Sequence, residues 1–236
     1  LLKRDIRLHT AQVGLKSIIK TLMKRKKQPD VKTLKNDPSF RQVMELNFDD
    51  MIPFVLEHIK RRSFVSILYW GINIAFLSFI IYVIISGLIW KQLTWPVIIR
   101  QSLTGIFAGS ILVIPVHELL HGIAYRILGA RQIRFGADMQ QFIFFVTADR
   151  YPVSGKELYF LALAPFIVIN LVTVAVTFIW FPGGILFSAF FLLSHNIMCI
   201  GDFAIVNSVQ QRSAGRIYTF DEVENKKGYF FEEISP

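Results

Sequence analysis

Three residues close together in this chain have the types and the spacing of a metal-dependent hydrolase. His117 and His121 flank Glu118 in the sequence HELLH. In a helix, side chains four positions apart lie one turn apart on the same face, so both imidazoles could bind a single Zn²⁺. Glu118, beside the first histidine, would then act as general base on a water molecule at the metal. We therefore predict a zinc site with His117 and His121 as ligands and Glu118 as the catalytic base.

The surroundings of this motif favour a functional role over a chance match. The motif lies inside the apolar stretch ILVIPVHELLHGIAYRIL. Two imidazoles and a carboxylate are costly at membrane depth, so their presence there indicates function by default. A chance H-E-x-x-H is expected in well under ~1% of chains of this length. Because Cys199 is the only cysteine, a cysteine-rich zinc site is excluded.

The composition is that of an integral membrane protein. Of the 236 residues, 53% are hydrophobic and 22 are phenylalanine, and the mean hydropathy is +0.46. A membrane-spanning helix needs ~20 apolar residues, and four runs are long enough, at 64–89, 97–128, 158–181 and 185–206. We predict an all-α polytopic membrane protein with about four transmembrane helices. Its transmembrane core extends over residues 63–210.

The basic residues predict the orientation of this core. Residues 1–62 hold 15 of the 26 Lys and Arg against seven Asp and Glu, a net charge of +8. By the positive-inside rule, this segment and the tail at 211–236 are cytoplasmic. The basic segment should also attract anionic lipids, and its residues 11–27 have the apolar spacing of an amphipathic helix on the membrane surface. Nucleic-acid binding is another conventional interpretation of a basic block, but beside membrane spans we predict none.

A β-element is predicted between the second and third spans, on the cytoplasmic side. Arg131 to Phe135 alternate in polarity, residues 141–147 are rich in β-branched and aromatic types, and Gly136 is expected in the connection. The open edge of such a hairpin could accept an extended peptide as an added strand, with Phe135 or Phe144 holding the substrate. The alternative is a structural lid with no binding role.

A catalytic zinc usually has three protein ligands, and two residues compete for the third position. Asp202 is the only carboxylate other than Glu118 within a predicted span, and an unpaired carboxylate there needs a cation. His195 lies about two turns deeper and could be the ligand or a neighbour that orients one. We favour Asp202. The remaining alternative is that Asp202 pairs with Arg126 or caps a neighbouring helix.

Several segments resemble the intramembrane zinc metalloproteases of the site-2 protease class, and most closely a bacterial group of zincin membrane peptidases. HELLHGIAYRILGARQIRFG is similar to the HExxH helix of that class, which ends in a glycine and continues into a β-hairpin. LALAPFIVINLV resembles its third helix, and HNIMCIGDFAIV resembles its last helix, where an aspartate beside a glycine completes the zinc site. The resemblance extends over about residues 100–210.

The resemblance implies roles for individual residues. His117, His121 and Asp202 correspond to the ligands and Glu118 to the base, while Asn170 becomes a candidate polar group near the substrate or the oxyanion. The chain departs from the class in two respects that concern the third ligand. It has Gly201 before Asp202, where the wider class has the aspartate first, and it lacks the intervening proline-rich stretch.

The sequence therefore predicts a membrane-embedded zinc endopeptidase that cuts membrane proteins or peptides near the cytoplasmic face. We expect it in a bacterial plasma membrane with both termini in the cytoplasm. The alternative is a zinc transporter or sensor that cuts nothing, although such a site needs no base beside its first ligand. A catalytically silent scaffold is a third possibility, and the intact HExxH argues against it.

Overall fold

The computed structural model describes residues 28–138, 143–212 and 215–234, so the amphipathic helix predicted within 11–27 lies outside the described residues. Helices and strands are numbered here in chain order. The α-helices are α1 (Val31–Asn36), α2 (Met51–Lys60), α3 (Phe64–Ile89), α4 (Trp95–Phe107), α5 (Ile114–Ile127), α6 (Gly155–Trp180), α7 (Ile185–Met198) and α8 (Ile200–Gln210). The strands are β1 (Phe40–Asn47), β2 (Arg134–Asp138), β3 (Ile143–Thr147), β4 (Val153–Ser154), β5 (Arg216–Glu222) and β6 (Lys227–Glu233).

The four apolar runs form helices of two kinds. The helices α3 and α6 are continuous, with 26 residues each, and are long and apolar enough to cross a membrane. The other two runs are broken helices. Trp95–Leu112 and Ile114–Ile127 meet at a bend of 40°, and Pro182–Met198 and Ile200–Gln210 meet at 47°. The described residues therefore contain two candidate spans, or four if each bent pair crosses as one.

The first bend has a local cause in the sequence. Between α4 and α5 the chain forms a π-helical turn at Ala108–Leu112, a rare form that widens the helix. Pro115 follows it and has no N–H to donate to the carbonyl four residues earlier. The widened turn and the proline together end α4 and redirect α5, which carries the HELLH motif.

The helices pack closely where small residues allow it. A Cβ added at Gly105 or Gly109 would collide with the backbone of α7, at the carbonyl oxygens of Phe187 and Phe191 respectively. Such small residues let apolar helices approach each other without a large side chain between them. The contact fixes the first broken helix against the second, and so places the two halves of the candidate site relative to each other.

A four-stranded antiparallel sheet of order β1-β6-β5-β4 lies at one end of the helices. Strand β1 precedes α3, and β6 follows α8, so their pairing brings the segments before and after the apolar helices to the same side. Its two central strands, β5 and β6, are buried on both faces. Ile217 and Phe230 pack on the helical core, while Phe220 and Phe231 pack under Leu34 of α1.

This sheet corrects the predicted fold class. The protein is mostly helical, but it is not all-α with a single hairpin, because the four-stranded sheet is a second β-element. Apolar residues on both faces of β5 and β6 were the available sign. Short runs of this kind are ambiguous between strand and helix. Strand β1, which pairs with β6, lies 180 to 193 positions earlier in the sequence.

The predicted β-hairpin between the second and third candidate spans is confirmed as β2 and β3, with one correction. Gly136 lies within β2, opposite Phe145, and not in the connection. A larger side chain there would require the Phe145 ring to move, since a Cβ would overlap it. Before the hairpin, Gly129 ends α5 with a φ of +98°. The N–H of Ala130 then bonds the Tyr125 carbonyl, in a Schellman cap.

The hairpin is also fixed to the four-stranded sheet. The Thr147 hydroxyl at the end of β3 donates to Oδ2 of Asp221 in β5 at 2.6 Å, and the Arg150 N–H donates to the Asp221 carbonyl at 2.8 Å. Burial raises the pKa of the Asp221 carboxyl above its ordinary value. These bonds hold one end of the hairpin beside the C-terminal end of α5.

Candidate metal centre and cavity

Helix α5 brings its two histidines together as their spacing predicts. The Nε2 atoms of His117 and His121 are 3.1 Å apart. Asp202, in the first turn of α8, approaches both of them. Its Oδ2 lies 3.3 Å from Nε2 of His117 and its Oδ1 lies 3.3 Å from Nε2 of His121. The structure thus brings the three predicted ligands into one cluster.

The spacing of these three residues fits a zinc ion. Zinc binds histidine nitrogen and carboxylate oxygen at ~2.0–2.1 Å in a tetrahedral arrangement, so neighbouring ligand atoms should be ~3.3 Å apart. The observed separations of 3.1, 3.3 and 3.3 Å among His117, His121 and Asp202 match one face of such a tetrahedron. Two neutral imidazoles and one carboxylate are also a common donor set for catalytic zinc.

Each histidine has a partner at its other ring nitrogen. Nδ1 of His121 lies 3.0 Å from the backbone carbonyl oxygen of Leu161 in α6. Because a carbonyl only accepts, Nδ1 of His121 is the donor in this contact, and Nε2 faces Asp202 and the cavity. Nδ1 of His117 lies 3.1 Å from Nε2 of His195 in α7. Partners of this kind fix the tautomer and the ring orientation of metal-binding histidines.

His195 lies behind His117 and away from His121. It is 1% exposed, and its Nε2 also lies 3.6 Å from Sγ of the buried Cys199. His117, His195 and Cys199 form a second cluster of possible metal ligands. The two clusters share His117. The cluster of His117, His121 and Asp202 includes both histidines of the HELLH motif and a carboxylate, and we consider it the better zinc site.

Neither alternative partner for Asp202 agrees with the geometry. Arg126 donates instead to the carbonyls of Ala130 and Arg131, at the C-terminal end of α5. Asp202 lies in the first turn of α8, where a negative charge is favoured by the helix dipole. Among the described residues, no side-chain cap bond forms at that end of α8. The carboxylate is therefore directed to the histidines.

A cavity of about 460 Å³ opens on this cluster. Glu118 lines it together with His117, His121 and Asp202. Within residues 28–138, 143–212 and 215–234, the Glu118 carboxylate makes no hydrogen bond or ion pair, so it can accept a proton from a molecule in the cavity. The other walls are largely apolar and come from α2, α6, α8 and β3.

The contribution of α2 was not predicted. Met51, Ile52, Val55 and Leu56 form one wall of the cavity, although this helix belongs to the basic N-terminal segment. The spacing of its apolar residues is typical of a helix, but it could not show which element the helix would contact. The amide of Asn207 in α8 anchors its end, donating to the carbonyl of His58 at 2.6 Å.

The three predicted substrate residues lie in different places. Phe144 lines the cavity, at 38% exposure. Phe135 is 62% exposed and its ring lies over Gly122, directly after the HELLH motif. Asn170 is not among the cavity-lining residues, and its amide is paired with that of Asn196 at 2.8 Å. Direct contact between Asn170 and a substrate therefore has no support in this arrangement.

Comparison with known proteins gives a match to one family. Residues 110–216 match the model of a protein family described as "Putative zincin peptidase". The matched segment is slightly less than half of the chain and contains the HELLH helix and Asp202, but not α2 or β1. No curated protein and no solved structure matches the chain. Over the matched residues, the chain is thus similar to zinc-dependent peptidases of the zincin type.

Proposed function

We propose that this protein is a membrane-embedded zinc endopeptidase of the site-2 protease class, which cuts membrane-associated substrates near the cytoplasmic face. One observation carries the proposal. His117, His121 and Asp202 form a triangle of zinc dimensions, and Glu118 lies beside it on the wall of the same cavity. A site that only bound or moved zinc would not need a further carboxylate next to its first ligand.

The surface of the helices supports the placement in a bilayer. Large apolar side chains on α3 and α6 are exposed, and only 17% and 22% of their most apolar windows are buried. An apolar surface of this extent needs lipid or a partner. Trp90, Trp95 and Trp180 are more than 60% exposed at one end of the helices, as expected of interfacial anchors.

The opposite end of the helices has the features of a cytoplasmic face. Arg61, Arg126 and Arg212 lie there, as does the four-stranded sheet that joins the segments before and after the apolar helices. The positive-inside rule puts this end in the cytoplasm, with both segments on that side. The candidate site lies nearer this end, since His121 is eight residues, or ~12 Å of helix, before Gly129.

The residues that line the cavity have different roles in the proposed reaction. Zinc, held by His117, His121 and Asp202, would supply a Lewis acid that polarises the scissile carbonyl and makes water more acidic. Glu118 takes the proton of the attacking water and delivers it to the leaving amine. The apolar walls exclude bulk water, which strengthens the electrostatic interactions of these groups.

Strand β3 is suited to hold the substrate in an extended form. Phe144, Phe145 and Val146 all line the cavity, although successive side chains of a strand point to opposite faces. Three consecutive lining residues mean that the edge of the strand borders the cavity. A substrate helix must unwind before its amide can be attacked, and pairing with this edge would stabilise the unwound segment.

The test combines metal analysis with proteolysis. Purified Glu118→Gln protein should hold as much zinc as the wild type but should not cleave a panel of single-span membrane proteins in reconstituted vesicles. Glu224→Gln, an exposed change in the turn between β5 and β6, is the matched control and should retain both properties. Cleavage by Glu118→Gln at the wild-type rate would contradict the proposal. Zinc flux into the vesicles without cleavage would support a transporter instead.

A further inference from the structure

Pro165 is in the interior of α6, a helix of 26 residues that continues through it. A proline has no backbone N–H, so it cannot donate to the carbonyl four residues earlier in its helix. In α6 that carbonyl belongs to Leu161. A backbone carbonyl without a donor is unfavourable in an apolar interior, and the Leu161 oxygen must therefore find a partner outside its own helix.

The partner is the candidate zinc ligand itself. Nδ1 of His121 donates to the Leu161 carbonyl oxygen at 3.0 Å. We propose that Pro165 is a positioning residue, which frees the Leu161 carbonyl for His121 and thereby fixes the tautomer in which Nδ1 carries the proton and Nε2 is directed at the cavity. The role of this tautomer in catalysis rests on the proposed function, whereas the effect of Pro165 on His121 can be measured without any cleavage.

The two histidines are thus oriented in different ways. His117 faces the side chain of His195, which a substitution can remove directly. His121 faces a backbone oxygen, which no substitution at Leu161 can remove. Any residue other than proline at position 165 would offer that oxygen a competing backbone N–H within the helix. Pro165 is fully buried and lies outside the cavity lining, so it does not contact a molecule in the cavity directly.

The experiment compares two substitutions that place the same methyl group at position 165, one with a backbone N–H and one without. Pro165→Ala introduces a donor four residues after Leu161. Replacement of Pro165 by lactic acid, through an ester bond in place of the amide, introduces the same methyl group without the donor. ¹⁵N NMR of histidine-labelled, metal-free protein reports the tautomer of His121, and chelator competition gives the zinc affinity. Pro96→Ala, at the start of α4, controls for loss of a proline from an apolar helix.

We expect Pro165→Ala to mix the tautomers of His121 and to weaken zinc binding ~10–100-fold, the usual effect of losing a partner of a metal ligand. The lactic acid variant and Pro96→Ala should keep the wild-type tautomer and affinity. An unchanged tautomer in Pro165→Ala overturns the proposal, as does an equal loss in the alanine and lactic acid variants, which would show that the ring only packs. Absence of proteolysis in the wild type would affect the proposed function but not this result.

Discussion

Oδ2 of Asp202 lies 3.3 Å from Nε2 of His117, and both residues directly follow a break in an apolar helix. His117 is four residues after Val113, which precedes α5, and Asp202 is three residues after Cys199, which separates α7 from α8. Without the bends in the two helices, these two side chains would not approach each other. The distance between them depends on the two bends and on the close packing of Gly105 and Gly109 against α7.

The first prediction concerns the ligand set. Purified protein should contain about one zinc per chain, and the His117→Ala, His121→Ala double variant should contain none. Asp202→Ala should lower zinc affinity more than His195→Ala, for which we expect a ~10–100-fold loss. Metal content by mass spectrometry and affinity by chelator competition measure both effects.

Cys199→Ser distinguishes the two clusters that share His117. Zinc affinity should be unchanged in this variant if the ion binds to the cluster that contains Asp202. A large loss in Cys199→Ser, with wild-type affinity in Asp202→Ala, would assign the metal to His117, His195 and Cys199 and would show our ligand set to be wrong.

The second prediction concerns topology. In a Cys199→Ser background, a membrane-impermeant maleimide should label Gly183→Cys in intact cells, because this position lies in the exposed turn between α6 and α7. Glu224→Cys, in the turn between β5 and β6, should react only after the membrane is permeabilised. Labelling of Glu224→Cys in intact cells would reverse the proposed orientation.

The third prediction tests the hairpin as a substrate-binding element. A Cβ at Gly122 would lie 3.1 Å from the Phe135 ring and 3.8 Å from a methyl group of Val146. Gly122→Leu should therefore displace the hairpin from α5, with an overpacking cost of ~1–3 kcal/mol. We expect KM for an extended peptide substrate to rise about tenfold or more while zinc is retained.

The glycines of this chain offer a matched control for that change. A Cβ added at Gly71 in α3 would meet no described atom within 4 Å, so Gly71→Leu should leave KM unaltered. If Gly122→Leu bound zinc and cleaved peptide as the wild type does, the hairpin would have no part in holding substrate.

The fourth prediction is a pH dependence of stability. Glu222 is 5% exposed, and its hydrogen bond with Lys35 at 2.7 Å holds the pKa of its carboxyl below the ordinary value, with burial opposing this effect. A lowered pKa adds stability above the unfolded value of about 4.3. That contribution is lost as pH falls through the lower folded value.

Glu222→Gln should therefore lower Tm near neutral pH, and its difference from the wild type should shrink on acidification to about pH 3. Thermal unfolding in detergent across this range measures both. Glu224→Gln, on the exposed turn, should follow the wild type throughout. A difference that stayed constant with pH would mean that the Lys35 ion pair does not contribute in this way.

The sequence by itself predicted the local features of this protein. The HELLH spacing was enough to place His117 and His121 on one helical face, because that depends only on the helical repeat. Hydropathy was enough to find the four apolar runs, since each is a property of about twenty consecutive residues. Gly129 marked the end of α5, because few residues other than glycine adopt its positive φ.

Contacts between distant segments were decided by the tertiary structure. No local rule pairs β1 with β6, places α2 on the cavity wall, or aims the Leu161 carbonyl at His121. Each of these depends on how bent helices and a sheet bury their apolar faces together. Pro165 illustrates this difference between sequence and tertiary structure. Its missing N–H could be read from the sequence, but only the fold shows which histidine takes the place of that donor.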